Sequence, residues 1–393
     1  MRGLRHFVHV PSRLGLLSRS AAWWPVLDVL VPFAATRLLL LLIGVFARYT
    51  MPAAANGDPW HASSHALIDA WAGWDSRWYV AIVQNGYGYQ SGDQSAFAFW
   101  PGLPLLIKLA TLVIGRQDTE TVAVLGIVVV NLALLAALFY LVRLVRQDFG
   151  AAVAARAALC LLVFPASVFL SAVYPHSLFL ACTTASFYYA RNGAWWRAGL
   201  LGGFAAITRA YGVLLVLPLA WELGRQACAG RWRPRRDLLA LSLVPAGLVA
   251  WMGYLTWQFG RPTAFLEAQL GWGRTPTPAW QALDPYLHGY SSFYGYSGTY
   301  LDLGFAVLYA IGALVAWRAL PRSYAILASL LFLPLVSAGR LQSLMRFGVE
   351  LFPLFIVVAI AGRWTWLYQS YLVLGTGFAA VFAAMFALRY WVG

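Results

Sequence analysis

Carboxylates are scarce in this 393-residue chain: 14 Asp and Glu stand against 28 Lys and Arg, and Lys108 is the sole lysine. Charge of any kind is thin, at 11% of residues, where a soluble domain carries about 25%. Cysteine is rarer still. Cys160 and Cys182 fall inside apolar runs and Cys228 in a basic loop, which offers neither a disulfide framework nor a metal-ligand spacing. No Walker loop, no Gly-x-Gly-x-x-Gly opening after a strand and no cysteine–histidine zinc pattern is present, so nucleotide chemistry has no visible home. The single His-x-x-x-His pair, His61 and His65, has no nearby glutamate in a metalloprotease arrangement and reads as solvated loop. No metal ligands are expected, and nothing in the sequence calls for a divalent ion.

Apolar residues, by contrast, make up 61% of the chain. Runs of about 20 such residues recur from end to end, which predicts an all-α, polytopic transmembrane protein with about 9–12 membrane-embedded segments. The excess positive charge is almost all arginine, scattered among short loops between those runs. A nucleic-acid reader would gather it on one polar face; scattered, it reads as an orientation signal. The many Trp and Tyr residues read as interfacial belts and core packing.

The amino-terminal arm, residues 1–23, carries Arg2, Arg5, Arg13 and Arg19 without an acid and is expected in the cytoplasm. The stretch "PAAANG" resembles a signal cleavage site. The run before it, Trp24 to Phe46, is longer than a signal-peptide core and reads as an uncleaved anchor. It delivers a large first outer loop, residues 48–97, holding Asp58, Asp69, Asp75 and Asp93 against only Arg48 and Arg77. Within that loop Ile68 to Val83 reads as one amphipathic interfacial helix.

Two topologies are open for the next part. If residues 98–114 cross the membrane, Arg143, Arg146 and Arg156 fall outside. If 98–114 stay on the outer side, begun by Pro101 and Pro104, then Val122–Val142 crosses inward. Ala198–Tyr211 and Gly212–Glu222 become two short half-spans with "ITRAYG" at their outer junction. The second reading puts nearly every arginine-rich loop in the cytoplasm and is preferred. A second large outer segment, residues 259–301, contains "YLHGYSSFYGYSGTY". The whole chain, 1–393, reads as one transmembrane domain.

Charged groups at membrane depth are costly and usually functional. In the preferred topology the outer side collects Asp75, Arg77, Tyr174, His176, Arg209, Arg340, Arg346 and Glu350. Arg209, Arg346 and Arg340 suit a lipid phosphate, because guanidinium keeps its charge in low dielectric and binds phosphate with two donors. The blander alternatives are specific. Arg77 could snorkel beside Trp74 and Trp78, His176 could be a satisfied histidine at a helix start, and Asp75 could cap the helix "SRWYVAIV".

The stretch "WDSRWYVAIVQNGYGY" followed by "SAFAFWPGLPLL" resembles the PIG-V family of glycosylphosphatidylinositol mannosyltransferases: Trp-Asp, a tyrosine, Gly-Tyr, then Ala-Phe-x-Pro-x-x-Pro. "FPASVFLSAVYPHSLF", "GLLGGFAAITRAYGVLL" and "RFGVELFPLF" are similar to later blocks, in order, from about Arg37 to Phe355. The resemblance implies a GT-C membrane glycosyltransferase in which Asp75 is the catalytic base. Trp74, Arg77, Tyr79, Tyr87, Tyr174, His176 and Glu350 are then expected to line the substrate site. It implies mannose transfer from a polyprenyl-phosphate-mannose donor to a lipid or glycan acceptor among membrane lipids, without nucleic acid and by a monomer. His176 stands where the family pattern usually has glutamate. The arginine-heavy, lysine-poor composition points to a high-GC prokaryote, hence an inner membrane with the site facing outward. The rival from another class is a lipid or polysaccharide-precursor flippase, which would place charges at mid-membrane in related repeats.

Overall fold

A computed structural model describes residues 23–88, 90–91, 94–230, 234–288 and 300–392. The arginines of the amino-terminal arm, most of "YLHGYSSFYGYSGTY", and Arg231 and Arg233 of the basic loop lie outside the described residues. The longer helices are α1 (Val31–Thr50), α2 (Ser76–Asn85), α3 (Gly102–Ile114), α4 (Thr119–Phe149), α5 (Ala151–Leu162), α6 (His176–Arg191) and α7 (Trp195–Thr208). They are followed by α8 (Val216–Cys228), α9 (Pro234–Phe259), α10 (Tyr300–Ala319), α11 (Arg322–Val336), α12 (Phe352–Ala361) and α13 (Thr365–Ala387). The one strand pair among the described residues joins Gln90–Ser91 to Gln94–Ser95.

Among the described residues, five helical stretches are long and apolar enough to cross a membrane: Val26–Thr50, Thr119–Phe149, Arg236–Phe259, Tyr300–Ala319 and Thr365–Ala387. Leu344–Glu350 and Phe352–Ala361 are together long and apolar enough as well, as a broken span or a re-entrant loop bent by 81° at the break. The chain is an integral multi-pass membrane protein.

Helix α6, of 16 residues, is about 24 Å long at 1.5 Å per residue, short of the roughly 30 Å hydrocarbon layer. It survives because protein surrounds it. Ser177 donates to the Leu170 carbonyl at 2.6 Å, Thr184 to Leu180 at 2.7 Å and Ser186 to Ala198 at 2.8 Å, so its buried hydroxyls are satisfied without lipid contact. Helix α9 lies along α7 at a separation only glycine permits. A Cβ on Gly203 would sit 2.5 Å from the Leu243 carbonyl oxygen. Arg37, buried in α1, donates to the Leu162 and Ser167 carbonyls at 2.7 and 2.8 Å, closing the frayed end of α5.

Charged clusters mark two opposite poles. At one, Arg191 bridges Asp148 at 2.5 Å and Glu222 at 3.2 Å, with Tyr324 donating to Asp148 at 2.6 Å; this joins α4, α6, α8 and α11. At the other pole lie residues 48–88. Helix α3 keeps both its ends there. Gly102 abuts Thr208, while Gln84 donates to the Gln117 carbonyl at 2.9 Å and Ser63 to Glu120 at 2.9 Å. Such a placement is what the second of the two sequence topologies expects of residues 98–114.

The expected continuous helix from Ile68 to Val83 is instead broken. A short turn, Ala66–Asp69, ends before Trp74, which has φ of +57°, and α2 starts afresh at Ser76. Asp58 causes the break by accepting the Trp74 amide at 2.5 Å, away from helical pairing. Residues on either side are also tied by Arg389, which donates to the Ala72 carbonyl at 3.0 Å and pairs with Asp69 at 2.7 Å. His61, expected as solvated loop, pairs with the same Asp69 at 2.8 Å.

Candidate active site

The break at Trp74 turns Asp75 inward. Its side chain makes no capping hydrogen bond to α2, so the cap reading fails. Asp75 Oδ2 lies 2.7 Å from a terminal nitrogen of Arg346, and both residues are buried. The Asp75 amide donates to the Tyr174 hydroxyl at 3.0 Å. Tyr174 stacks on the His176 ring, 5.9 Å between centroids and 13° from parallel.

Behind this pair stands a second one. Arg209 Nε donates to Glu350 Oε1 at 3.0 Å, His176 Nδ1 lies 2.6 Å from the same oxygen, and Tyr211 donates to Oε2. The sequence joins these groups simply. Arg209 follows the last turn of α7 in extended backbone, His176 opens α6, and Glu350 sits at the break before α12. Each is at a helix interruption, where a polar group reaches a cavity without opening a helical ladder to lipid.

Three guanidiniums surround the Phe347 ring: Arg209 at 5.1 Å, Arg274 at 5.1 Å and Arg346 at 5.2 Å from its centroid. Arg274 has no ion-pair partner among the described residues. Burial, and then the neighbouring Arg346, lower its pKa to about 10. The Nε of Arg346 is buried without a hydrogen-bond partner among the described residues. The carboxylates Asp75 and Glu350 leave this cluster with one positive charge in excess.

Asp75, Tyr79, Tyr174, Arg209, Arg274 and Arg346 line a cavity of about 60 Å³. It adjoins a groove of about 670 Å³ through Ala98, Arg209, Gln269, Arg274 and Phe347, which line both. The groove wall is otherwise mostly apolar, with Trp100, Phe265, Leu266, Leu270, Leu335 and Leu344, and Arg340 also lines it.

Some expected residues are elsewhere. Arg77 lies 4.0 Å from Asp58 and over Trp78, and Trp74 packs edge-on against Trp391. Tyr87 donates to the Phe99 carbonyl at 3.0 Å and lines a separate apolar cavity. His176 and Glu350 do not line the cavity; they hold Arg209. Arg274, Tyr211 and Asp58 were not among the expected site residues. "GWGRTPTP" did carry a signal for Arg274: an arginine beside tryptophan and glycine in the second outer segment. Among the described residues no three His, Cys, Asp or Glu side chains are grouped to hold a metal ion.

Residues 54–241 match the family described as Mannosyltransferase (PIG-V). The GPI alpha-1,6-mannosyltransferase 2 of Mus musculus is 30% identical over 186 residues, 44% of this chain and 37% of that protein. That of Homo sapiens is 29% identical over 157 residues, 38% of this chain and 31% of that protein. The alignments thus span about a third of the length of these curated relatives. Among solved structures, the Archaeoglobus fulgidus oligosaccharyltransferase aligns with 94% of this chain and 56% of its own, at 13% identity and a TM-score of 0.47. ArnT of Cupriavidus metallidurans aligns with 92% and 77%, at 15% identity and 0.35. These structural likenesses are loose. The sequence match covers Asp75, Tyr174, His176 and Arg209, within a stretch just under half the length of the chain.

Proposed function

We propose that this protein transfers mannose from a polyprenyl-phosphate-mannose to a hydroxyl of a lipid-linked or glycan acceptor at the outer face of a prokaryotic inner membrane. The observation that carries this reading is the junction of the two cavities. A carboxylate and three arginines stand at the end of a long apolar groove. A polyprenyl chain suits the groove and its phosphate the arginines, which brings the sugar to the mouth of the small cavity beside Asp75.

In this mechanism Asp75 takes the proton of the acceptor hydroxyl as general base. The acceptor oxygen forms its bond to the anomeric carbon while the bond from that carbon to the phosphate oxygen breaks. The electron pair leaves with the phosphate. A single displacement inverts the anomer, so one carboxylate suffices. Arg209, Arg274 and Arg346 stabilise the charge growing on the phosphate, a task that preorganised donors perform well in a water-poor site. No divalent metal takes part in the step as proposed.

The test is transfer of labelled mannose from polyprenyl-phosphate-mannose into a membrane extract by purified protein. Labelled, alkali-stable product made by wild type supports the reading. Movement of the donor across vesicles with no product would replace it with a flippase.

A further inference from the structure

Resting on that reading of the site, we infer that Arg274 is the ligand that recognises the donor's phosphate, while Arg209 and Arg346 are already engaged by carboxylates of the protein. Arg346 pairs with Asp75 at 2.7 Å and Arg209 with Glu350 at 2.9 Å. The Arg274 guanidinium makes neither an ion pair nor a side-chain hydrogen bond among the described residues. It is one of the few side chains that line both the Asp75 cavity and the apolar groove. A phosphodiester joining a sugar to a polyprenyl chain must lie at that junction, and it carries the single negative charge that the cluster lacks.

The backbone holds Arg274 in place beforehand. Its amide donates to the Gln269 carbonyl at 3.0 Å. On its other side Thr275 and Thr277 donate to the Ala338 and Ser337 carbonyls at 3.2 and 3.0 Å, fastening this loop to the end of α11. Trp272 packs edge-on against Trp78 and Phe99. Gly273, with φ of +62°, makes the turn, and a Cβ there would meet the Arg340 guanidinium at 2.4 Å. Ordering a long side chain is a large part of the cost of binding; here its backbone is already clamped on both sides. An unpaired charge in a half-buried setting gains when an anion arrives, because the anion replaces lost hydration.

The experiment compares binding of a short-chain polyprenyl phosphate with that of the matching polyprenyl alcohol, in wild type and in Arg274→Gln. Wild type should prefer the phosphate. Arg274→Gln should lose about ten- to hundredfold in phosphate affinity, the span for a charge-assisted hydrogen bond, with alcohol affinity unchanged. A residue that merely shapes the loop would weaken both ligands alike. Should the glutamine variant fail to fold, Arg274→Lys serves; it should keep an intermediate preference, since it retains charge but loses the planar fork. If folded Arg274→Gln discriminates as wild type does, or if Arg274→Lys does where the glutamine variant cannot be studied, the inference is overturned and the transferase reading stands. If wild type itself neither prefers the phosphate nor transfers mannose, the transferase reading fails first.

Discussion

At the scale of single residues, the two carboxylates of the site have separate duties. Asp75 faces the cavity and Glu350 faces away from it, holding Arg209 with His176 and Tyr211. Replacing Asp75 with Asn keeps the side chain's size and removes its capacity to accept a proton. Turnover per folded molecule should fall at least ~10²-fold in the mannose-transfer assay, the low end for a general base. Turnover equal to wild type would remove Asp75 from the chemistry. Arg209→Ala should act on stability as well as on the donor. It strands buried Glu350, at a cost of about 3–5 kcal/mol, read by denaturant unfolding in detergent. An Arg209→Met, Glu350→Gln double variant should be more stable than Arg209→Ala, since neither member is then left charged. A double variant that is no better would show that the pair contributes little beyond its volume.

At the scale of elements, the decisive feature is the break between the Ala66–Asp69 turn and α2. Arg389, just beyond the end of α13, clasps it through Asp69, which Arg48 and His61 also reach. Burial pushes the Asp69 pKa up, but Arg389, the His61 ring, the Ala62 amide and Arg48 together hold it below the usual carboxylate value. A lowered folded pKa gives stability that is complete above the unfolded value, about 3.9, and lost as pH falls through the folded one. The melting-temperature gap between wild type and Asp69→Asn should therefore be wide above about pH 4 and close below it. A gap that stays constant from pH 6 to pH 3 would mean that the carboxylate's charge is not what clasps the turn. The clasp was not legible in the sequence, where His61 looks like solvated loop and residues 68–83 keep helical periodicity. Periodicity registers which side chains share a face; it does not register that Asp58 will capture the Trp74 amide.

At the scale of the whole molecule, both ends of α3 stay at the pole of the Asp75 loop, and α4 makes the crossing. In a variant without Cys160, Cys182 and Cys228, single cysteines at Arg116 and Gln147, both exposed, should label from opposite faces of the membrane, Arg116→Cys from outside. Labelling of both from one face would rule out α4 as a span. The candidate site was partly readable in advance: Asp75, Arg209 and Arg346 stand out because apolar sequence flanks charges that lipid would not tolerate. Arg274 lies in a polar loop, where its tryptophan and glycine neighbours are the only local signal until the fold brings it beside Phe347.

By itself the sequence determined that this chain lives in a membrane and that its functional charges are few, because long apolar runs can be satisfied only by lipid or by each other. The blocks from "WDSRWY" to "RFGVELF" likewise carried the resemblance to the PIG-V family without any coordinates. Only the tertiary structure decided how those charges are shared: Asp75 with Arg346, Arg209 with Glu350, and Arg274 with no ion-paired carboxylate among the described residues. Those pairings join residues 271 and 141 positions apart, and they follow from how α6, α7 and the broken segment before α12 pack at one pole. Local pattern cannot express such distances; helix packing sets them.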